Sequence, residues 1–592
     1  MALSTKLILL FLRQHQPVQL MKYAITLLFF AICFNGTAQI TEWIGQFSSA
    51  SNSGFVSDVK STAIRNDDLG NVYIAGTFSI DSADFDPGLG TYFLEPDFSV
   101  AAFVCKLDPS GSLIWVKRFG GSSSIKVNSI AVDGTGAVYI VGSFFFTIDL
   151  DPGPGVFELS VNGGADLYIS KLDSNGEFEW AMSTGGSAVD QAFDVVTDND
   201  NNVYVVGSFD YGDFDPGPGT VIQNPIETSG FIVKYDENGN HLNSGMFEAF
   251  GESSASHCIG IDPTGVLYVA GVLRGSVDVD PGPGTNVLTN TDTNGSVYVV
   301  KIDTDLSLIW AKKFNALFAY DIKLDNLGNP IIAGEFLGTV DFDPGPGVYT
   351  LVGPTSSLEK NTFISKLNPN GDFLWARQYP NTTTTNVDQG IYLATDINAN
   401  IYVMGSFFDT IDLDPGTGTA NFVSDGGVDM YISQLDSSGA MLWGGTIGGT
   451  GHDYAAGLCV TDSFKMYHTG VFTDTVDVDP TTAVTTLTSP VNYDTYVQIT
   501  DHFDDVATTL PETSVEPGVR VLPNPTTGSV KIQFSEFAPE LLTVTDVTGK
   551  IVTEQRLNGE KQIELVLEIP PGVYFLVLRG GEDLVVRRMI KQ

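Results

Sequence analysis

From residue 40 onward, apolar residues fall in short runs that alternate with polar ones or carry β-branched and aromatic side chains. Each run stops at Gly, Asn, Asp or Pro. Period-two runs bounded by turn residues predict short strands rather than helices. No long pattern of period 3.6 follows the first forty residues. The runs recur every ~65 residues, a spacing that marks a repeat architecture. One unit reads Ser129–Asp133, Ala137–Phe144, Asp149–Gly155, Asp166–Asp173 and Glu177–Ala181, which gives four strands, a to d, and an acidic turn.

Several positions count the units as seven. A glycine stands in strand b at Gly76, Gly142, Gly207, Gly271, Gly334, Gly405 and Gly470. Three residues earlier stand Tyr73, Tyr139, Tyr204, Tyr268, Ile331, Tyr402 and Tyr467. A glycine inside a strand marks the close approach of another backbone. Asp-x-Asp-Pro begins at Asp84, Asp149, Asp213, Asp278, Asp341, Asp412 and Asp477. The c-to-d turns sit at Asp108, Asp173, Asp236, Asp303, Asn368 and Asp436.

Tryptophan bears on closure. Trp115, Trp180, Trp310, Trp375 and Trp443 occupy one place in strand d, and Asn243 aligns with them in repeat 3. Repeat 7 ends near Asp501 without a strand d, whereas Trp43 precedes repeat 1 with no strands a to c before it. Residues 40–47 are therefore expected to supply the missing outer strand of repeat 7, which removes a free edge and closes a ring.

With its Gly-Asn-Val-Tyr-Ile-Ala-Gly unit at Gly70 to Gly76 and seven copies in register, the span 40–503 resembles the seven-bladed β-propeller repeats of exported bacterial proteins. The resemblance implies an all-β propeller of four-stranded blades, and it implies no particular chemistry.

The two ends read differently. Lys22, the apolar run Tyr23 to Phe34 and the small residues up to Ala38 form a signal segment within 1–38, with Met21 an alternative start. Cys33 lies at a lipoprotein-like place, but Ile32 before it is larger than such a site accepts. Residues 504–519, with Pro511 and Pro517, read as a linker. From Arg520 an unrelated set of strands follows, carrying Pro523, Asn524, Pro525 and Gly528, then Asp546 and Gly549, then Gly572 and Tyr574, and Lys591 near the end. These elements, in this order, look like the C-terminal sorting domain of the type IX secretion system over 520–592. That resemblance implies an Ig-like β-sandwich, the secretion machinery as partner, and delivery outside the cell or onto its surface. An ordinary Ig-like accessory domain is the alternative.

Composition narrows the partners. Of 592 residues, 29 are basic and 71 acidic, a formal charge of −42. Phosphate-binding proteins need clustered Lys and Arg, so nucleic acid and anionic membranes are excluded as expected ligands. Cys105, Cys258 and Cys459 are odd in number and set in apolar strands, which predicts buried thiols rather than a disulfide framework.

Two sets of residues are candidates for chemistry. The carboxylate pairs Asp84 and Asp86, Asp149 and Asp151, Asp213 and Asp215, Asp278 and Asp280, Asp341 and Asp343, Asp412 and Asp414, and Asp477 and Asp479 could each face a calcium ion. They could equally cap a turn, with Pro fixing φ and Gly taking φ above zero. The segments leading into strand a border the mouth of the central channel. They supply Asp58, Lys60, Asp190, Gln191, His257, Asp388, Gln389, His452 and Asp453 as candidate ligand-binding residues. No catalytic constellation such as Ser-His-Asp order, His-Glu-x-x-His or a phosphate loop occurs. A monomeric, non-catalytic propeller binding a glycan or a protein is expected; an extracellular glycosidase or lyase at the channel mouth, or an envelope structural protein, are the alternatives.

Overall fold

The computed structural model describes residues 40–49, 58–501 and 519–591. Within the second span it leaves out 80–81, 98–99, 122–123, 216, 291–294, 356–358, 381–389, 417, 462–463, 482–483 and 490–492; within the third, 523–528, 535–540, 547–550, 558–560, 567–571 and 581–582. The expected signal segment lies outside the described residues, as do the expected linker up to residue 518, Cys33, Asp388, Gln389, Pro523, Asn524, Pro525, Gly528 and Gly549; Val519, placed at the end of the linker, opens a strand. The chain divides into two compact units at residues 504 and 505. Among the described residues there is no helix, and every element is a strand.

Each repeat of the first unit is an antiparallel four-stranded meander. In repeat 1 the strands are a Val59–Asn66, b Val72–Ser79, c Val100–Leu107 and d Leu113–Gly121, paired a-b-c-d. The a strands of the other repeats are Ile125–Val132, Gln191–Thr197, Ala255–Ile261, Phe318–Leu324, Tyr392–Thr395 and Tyr454–Val460. Each a strand touches the a strand of the repeat before and of the repeat after, and that of repeat 7 touches that of repeat 1. Repeat 7 takes its strand d from the start of the chain: Ile40–Ser49 runs antiparallel to Asp494–Asp501, with Trp43 opposite Ile499. Phe47 from this strand packs with Phe85 and Phe103 of repeat 1, so one core spans the junction.

The strand-b glycines have a local cause. In six repeats the a–b register slips by one residue, at Thr62, Asn128, Phe193, His257, Tyr320 and Ala456. The bulge pushes the backbone of strand a onto strand b. A Cβ on Gly76, Gly142, Gly207, Gly271 or Gly334 would overlap the carbonyl oxygen of Lys60, Lys126, Gln191, Ala255 or Phe318, respectively.

Neighbouring repeats are joined by a shared acceptor. Lys106 Nζ and Trp115 Nε1 both donate to Ser174 O, in the c–d turn of the next repeat, at 3.3 and 3.2 Å. Lys171 and Trp180 do the same at Glu237 O, Lys301 and Trp310 at Pro369 O, and Lys366 and Trp375 at Ser437 O. Each indole lies against a turn glycine: Trp115 on Gly176, Trp180 on Gly239, Trp310 on Gly371, Trp375 on Gly439, and Trp43 on Gly111. In repeat 3 the acceptor is split: Lys234 donates to Thr304 O at 3.2 Å, the aligned Asn243 donates from Nδ2 to the next carbonyl, Asp305 O, at 2.8 Å, and Leu306 stands in place of the turn glycine.

The second unit holds two antiparallel sheets. One pairs Val519–Leu522, Ser529–Phe534 and Gln562–Val566; the other pairs Ile551–Arg556, Leu541–Asp546, Gly572–Gly580 and Asp583–Lys591. Val530, Ile532, Ile563 and Leu565 of the first share a core with Leu542, Val544, Leu576 and Leu578 of the second. Asp546, Gly572, Tyr574 and Lys591 lie within the strands of the second sheet.

Candidate functional site

The Asp-x-Asp-Pro loops repeat one hydrogen-bond pattern. Asp84 Oδ1 accepts the amides of Asp86 and Tyr92, and Asp86 Oδ1 accepts that of Gly88. The same three bonds form around Asp149 and Asp151, Asp213 and Asp215, Asp278 and Asp280, Asp341 and Asp343, and Asp412 and Asp414. In repeat 7 Thr481 stands where glycine stands elsewhere, and it donates both its amide and its hydroxyl to Asp479, while Asp477 keeps the two standard bonds. The loops also fasten repeats together. Asp84, Asp149, Asp278 and Asp477 pair with Ser48, Gly120, Glu248 and Gly448 on strand d of the preceding repeat. Each latch covers the end of an outer strand that would otherwise be an open edge.

Five of the six bulged residues, Thr62, Asn128, Phe193, His257 and Tyr320, line a narrow cavity of about 90 Å³ between the a strands, with Tyr392 of repeat 6 and Gly457 of repeat 7. A bulge re-aims one side chain of its strand, and here it aims these five into the cavity. The polar atoms between them are bonded across repeats. Asp194 accepts Ser129 Oγ at 2.7 Å and the amide of Ile259 at 3.0 Å, and Asp321 accepts the amide of Leu393 at 2.9 Å. Arg65 and Lys323 balance these carboxylates at 4.0 and 2.5 Å. His257 stacks edge-on against Phe193, and its Nδ1 accepts or donates no hydrogen bond. Burial, helped by Arg274, lowers its pKa to about 4, so the ring is neutral.

The candidates at the mouth separate into three groups. Asp58, Lys60 and His452 belong to a partly exposed rim shared by repeats 7 and 1. Lys60 Nζ pairs with Asp58 at 2.9 Å and lies 4.3 Å above the ring of Tyr493. Tyr493 meets Tyr454, and Tyr454 stacks on His452 with ring centroids 6.3 Å apart. His257 is a channel-wall residue, and Gln191 begins strand a of repeat 3. Asp190 and Asp453 are wholly buried and offer a ligand no oxygen. Asp190 instead accepts the amides of Gly186 and Asp210 at 2.8 and 2.7 Å, and burial raises its pKa to about 7. Tyr454 and Tyr493 were not among the sequence candidates. Their signal in the sequence is slight: Tyr454 directly follows the candidate Asp453, whereas Tyr493 lies beside Asp494, outside the candidate set. At the opposite end of the channel, the a–b turns of repeats 3 to 6 frame a cavity of about 340 Å³ around Asp198, Asp262, Asp325 and Asp396. Those carboxylates also cap their own turns.

Comparison with known proteins agrees with both halves of this architecture. Residues 520–592 match the family "Secretion system C-terminal sorting domain", and residues 114–143 match the family "Beta-propeller repeat". The chain thus carries a β-propeller repeat within its first unit and a secretion-system sorting domain over residues 520–592. That domain indicates export, to the cell surface or beyond it. An uncharacterized WD repeat-containing protein of Acanthamoeba polyphaga mimivirus is 26% identical over 181 residues, 28% of this chain and 13% of that protein. The regulatory protein FlaEY of Caulobacter vibrioides is 22% identical over 267 residues, 44% of this chain and 27% of that protein. This chain therefore spans well under a third of the length of either relative. Among solved structures, the Dos1 propeller is similar at 8% identity and a TM-score of 0.37, over 79% of this chain and 95% of that one.

Proposed function

We propose that the chain is a secreted or surface-held, non-catalytic binding protein whose body, residues 40–503, is one closed seven-bladed propeller. The cyclic contacts of the a strands and the pairing of Ile40–Ser49 with repeat 7 support the ring. The shared core of the two tail sheets supports an Ig-like sandwich as the sorting domain, reached through the 504–519 linker after a cleaved signal at 1–38. Through that sandwich the secretion machinery is the partner, and the mature protein is a monomer.

The ligand is a glycan, bound at the rim. The observation that carries this reading is the partly exposed run Lys60, Tyr493, Tyr454 and His452, with Asp58 beside it. Aromatic faces bury the apolar face of a sugar ring, while the lysine, carboxylate and imidazole bond its hydroxyls. The Asp-x-Asp-Pro loops serve as capped latches in this reading, because three amide donors per loop already face their carboxylates. A calcium ion would have to displace them.

The purified full-length chain is to be screened on a glycan array, with calcium and with chelator, beside polysaccharide turnover assays. Binding lost in Tyr493→Ala and kept under chelator is the expected result. Turnover abolished by His257→Ala would establish the enzyme instead, and a melting temperature that rises with calcium would make the acidic loops metal sites.

A further inference from the structure

One local build occurs twice in the first unit, at the junctions of repeats 2 and 3 and of repeats 6 and 7. In each, a Gly-Gly-x-Asp segment leads into strand c: Gly163 to Asp166, and Gly426 to Asp429. It packs against a Gly-Gly-x-x-x-Asp segment leading into strand a of the next repeat: Gly185 to Asp190, and Gly448 to Asp453. The glycines allow backbone to meet backbone. A Cβ on Gly164 would overlap Ala188 O, one on Gly427 would overlap Gly451 O, and one on Gly448 would overlap the carboxyl group of Asp429.

This packing shuts two carboxyl groups away from water. Asp453 is 0% exposed and Asp429 3%. Neither oxygen of Asp453, nor Oδ1 of Asp429, accepts a well-formed hydrogen bond; the amide of Asp425 donates to Asp429 Oδ2 at 2.8 Å, and the remaining amides nearby only face the pair. Among the described residues no Lys or Arg forms an ion pair with either. Of the groups facing the pair, Asp425 before strand c and Asp474 after strand b add negative charge, and the phenols of Tyr493 and Tyr496 add none. His452 is also there, its Nδ1 accepting the amide of Val428 at 3.3 Å. Two ionised carboxylates in such a place would be uncompensated, at a cost far above that of protonating one of them.

We propose that Asp429 and Asp453 hold one proton between them, and that losing it as pH rises unfastens the two Gly-Gly segments and the His452 rim above them. The pair is an alkaline-sensitive latch between repeats 6 and 7. Burial first, then the neighbouring Asp429, pushes Asp453 up to about 8, while burial raises Asp429 to about 6. Asp429 therefore ionises first and the proton stays on Asp453. A bound cation would balance the same charge, but the amides of Gly449 and Thr473 face Asp453 and those of Asp425 and Gly449 face Asp429. Donors aimed at both groups leave a cation poorly served.

A folded-state pKa raised above the unfolded value contributes stability that is complete below the ordinary carboxyl range near 4 and is lost as pH rises toward about 8. The test is thermal unfolding of the full-length chain, wild type and Asp453→Asn, from about pH 5 to about pH 9, without any ligand, so that its failure and the failure of the glycan reading stay separate. The difference in melting temperature, variant minus wild type, is expected to grow by several degrees across that range. Asp429→Asn serves if Asp453→Asn does not fold, and hydrogen exchange of residues 448–453 in the wild type is expected to accelerate above about pH 8 beyond its intrinsic rise. A pH-independent difference together with unchanged protection at 448–453 would overturn the latch. So would a wild-type melting temperature raised by calcium and lowered by chelator in a way that Asp453→Asn abolishes.

Discussion

At the junction of repeats 2 and 3, Trp180 lies on Gly239; at the next junction, Asn243 bonds Asp305 O and Leu306 stands where the glycine would. Both turns put that residue at positive φ, 80° for Gly239 and 62° for Leu306. Positive φ alone therefore does not impose glycine. Five turns keep glycine because an indole from the preceding repeat occupies the space of a side chain, and where the indole is gone a leucine fills it, 2% exposed among Val279 and Leu308. A leucine in this backbone region costs roughly 1–2 kcal/mol, which its burial can offset. The polar half of the joint survives the exchange, since Asn243 reaches a turn carbonyl as the indoles do. Packing and hydrogen bonding at a repeat junction are thus separable, and each can be tested alone.

The largest effect is expected for Gly239→Leu, which drives a side chain into Trp180 and should cost about 3 kcal/mol or more, read as a lowered midpoint in urea unfolding. Leu306→Gly empties the corresponding space and should cost about 2 kcal/mol, less than other buried leucine losses because the strained φ is relieved. Asn243→Trp should be destabilising alone and tolerated with Leu306→Gly. A double-mutant cycle is expected to give a coupling of about 1–3 kcal/mol, and additivity would break the comparison. Lys171→Met leaves Trp180 as the only donor to Glu237 O and should cost about 1–2 kcal/mol. The smallest shift is expected for Lys60→Ala, whose lysine is 41% exposed; its stability effect should stay within about 0.5 kcal/mol while glycan binding falls.

Much of this was legible along the chain. The four strands per repeat, the glycine of strand b and the displaced outer strand carrying Trp43 all follow from period and turn chemistry. The cause of the strand-b glycine did not, because a β-bulge adds one residue without altering the apolar pattern around it. The Asp-x-Asp-Pro loops read as turns or metal sites, but their pairing with the preceding repeat depends on tertiary neighbours such as Gly120 and Glu248. The mouth candidates are polar residues of the segments that enter strand a, and polarity in such segments suggests exposure. Asp190 and Asp453 defied that because glycines on both sides let two loops close over them. Cys105, Cys258 and Cys459 are buried and unpaired, in line with their apolar settings.

The strand that completes repeat 7 has a kinetic consequence. Gln46 bonds Asp494 across 448 residues of sequence, so a strand made early is among the last to find its partner. Loop closure on that scale is slow, and high contact order delays the final step of folding until the whole array exists. A chain bound for export gains from this delay: until residues near 500 arrive, Ile40–Ser49 has no partner strand and the junction of repeats 7 and 1 stays open.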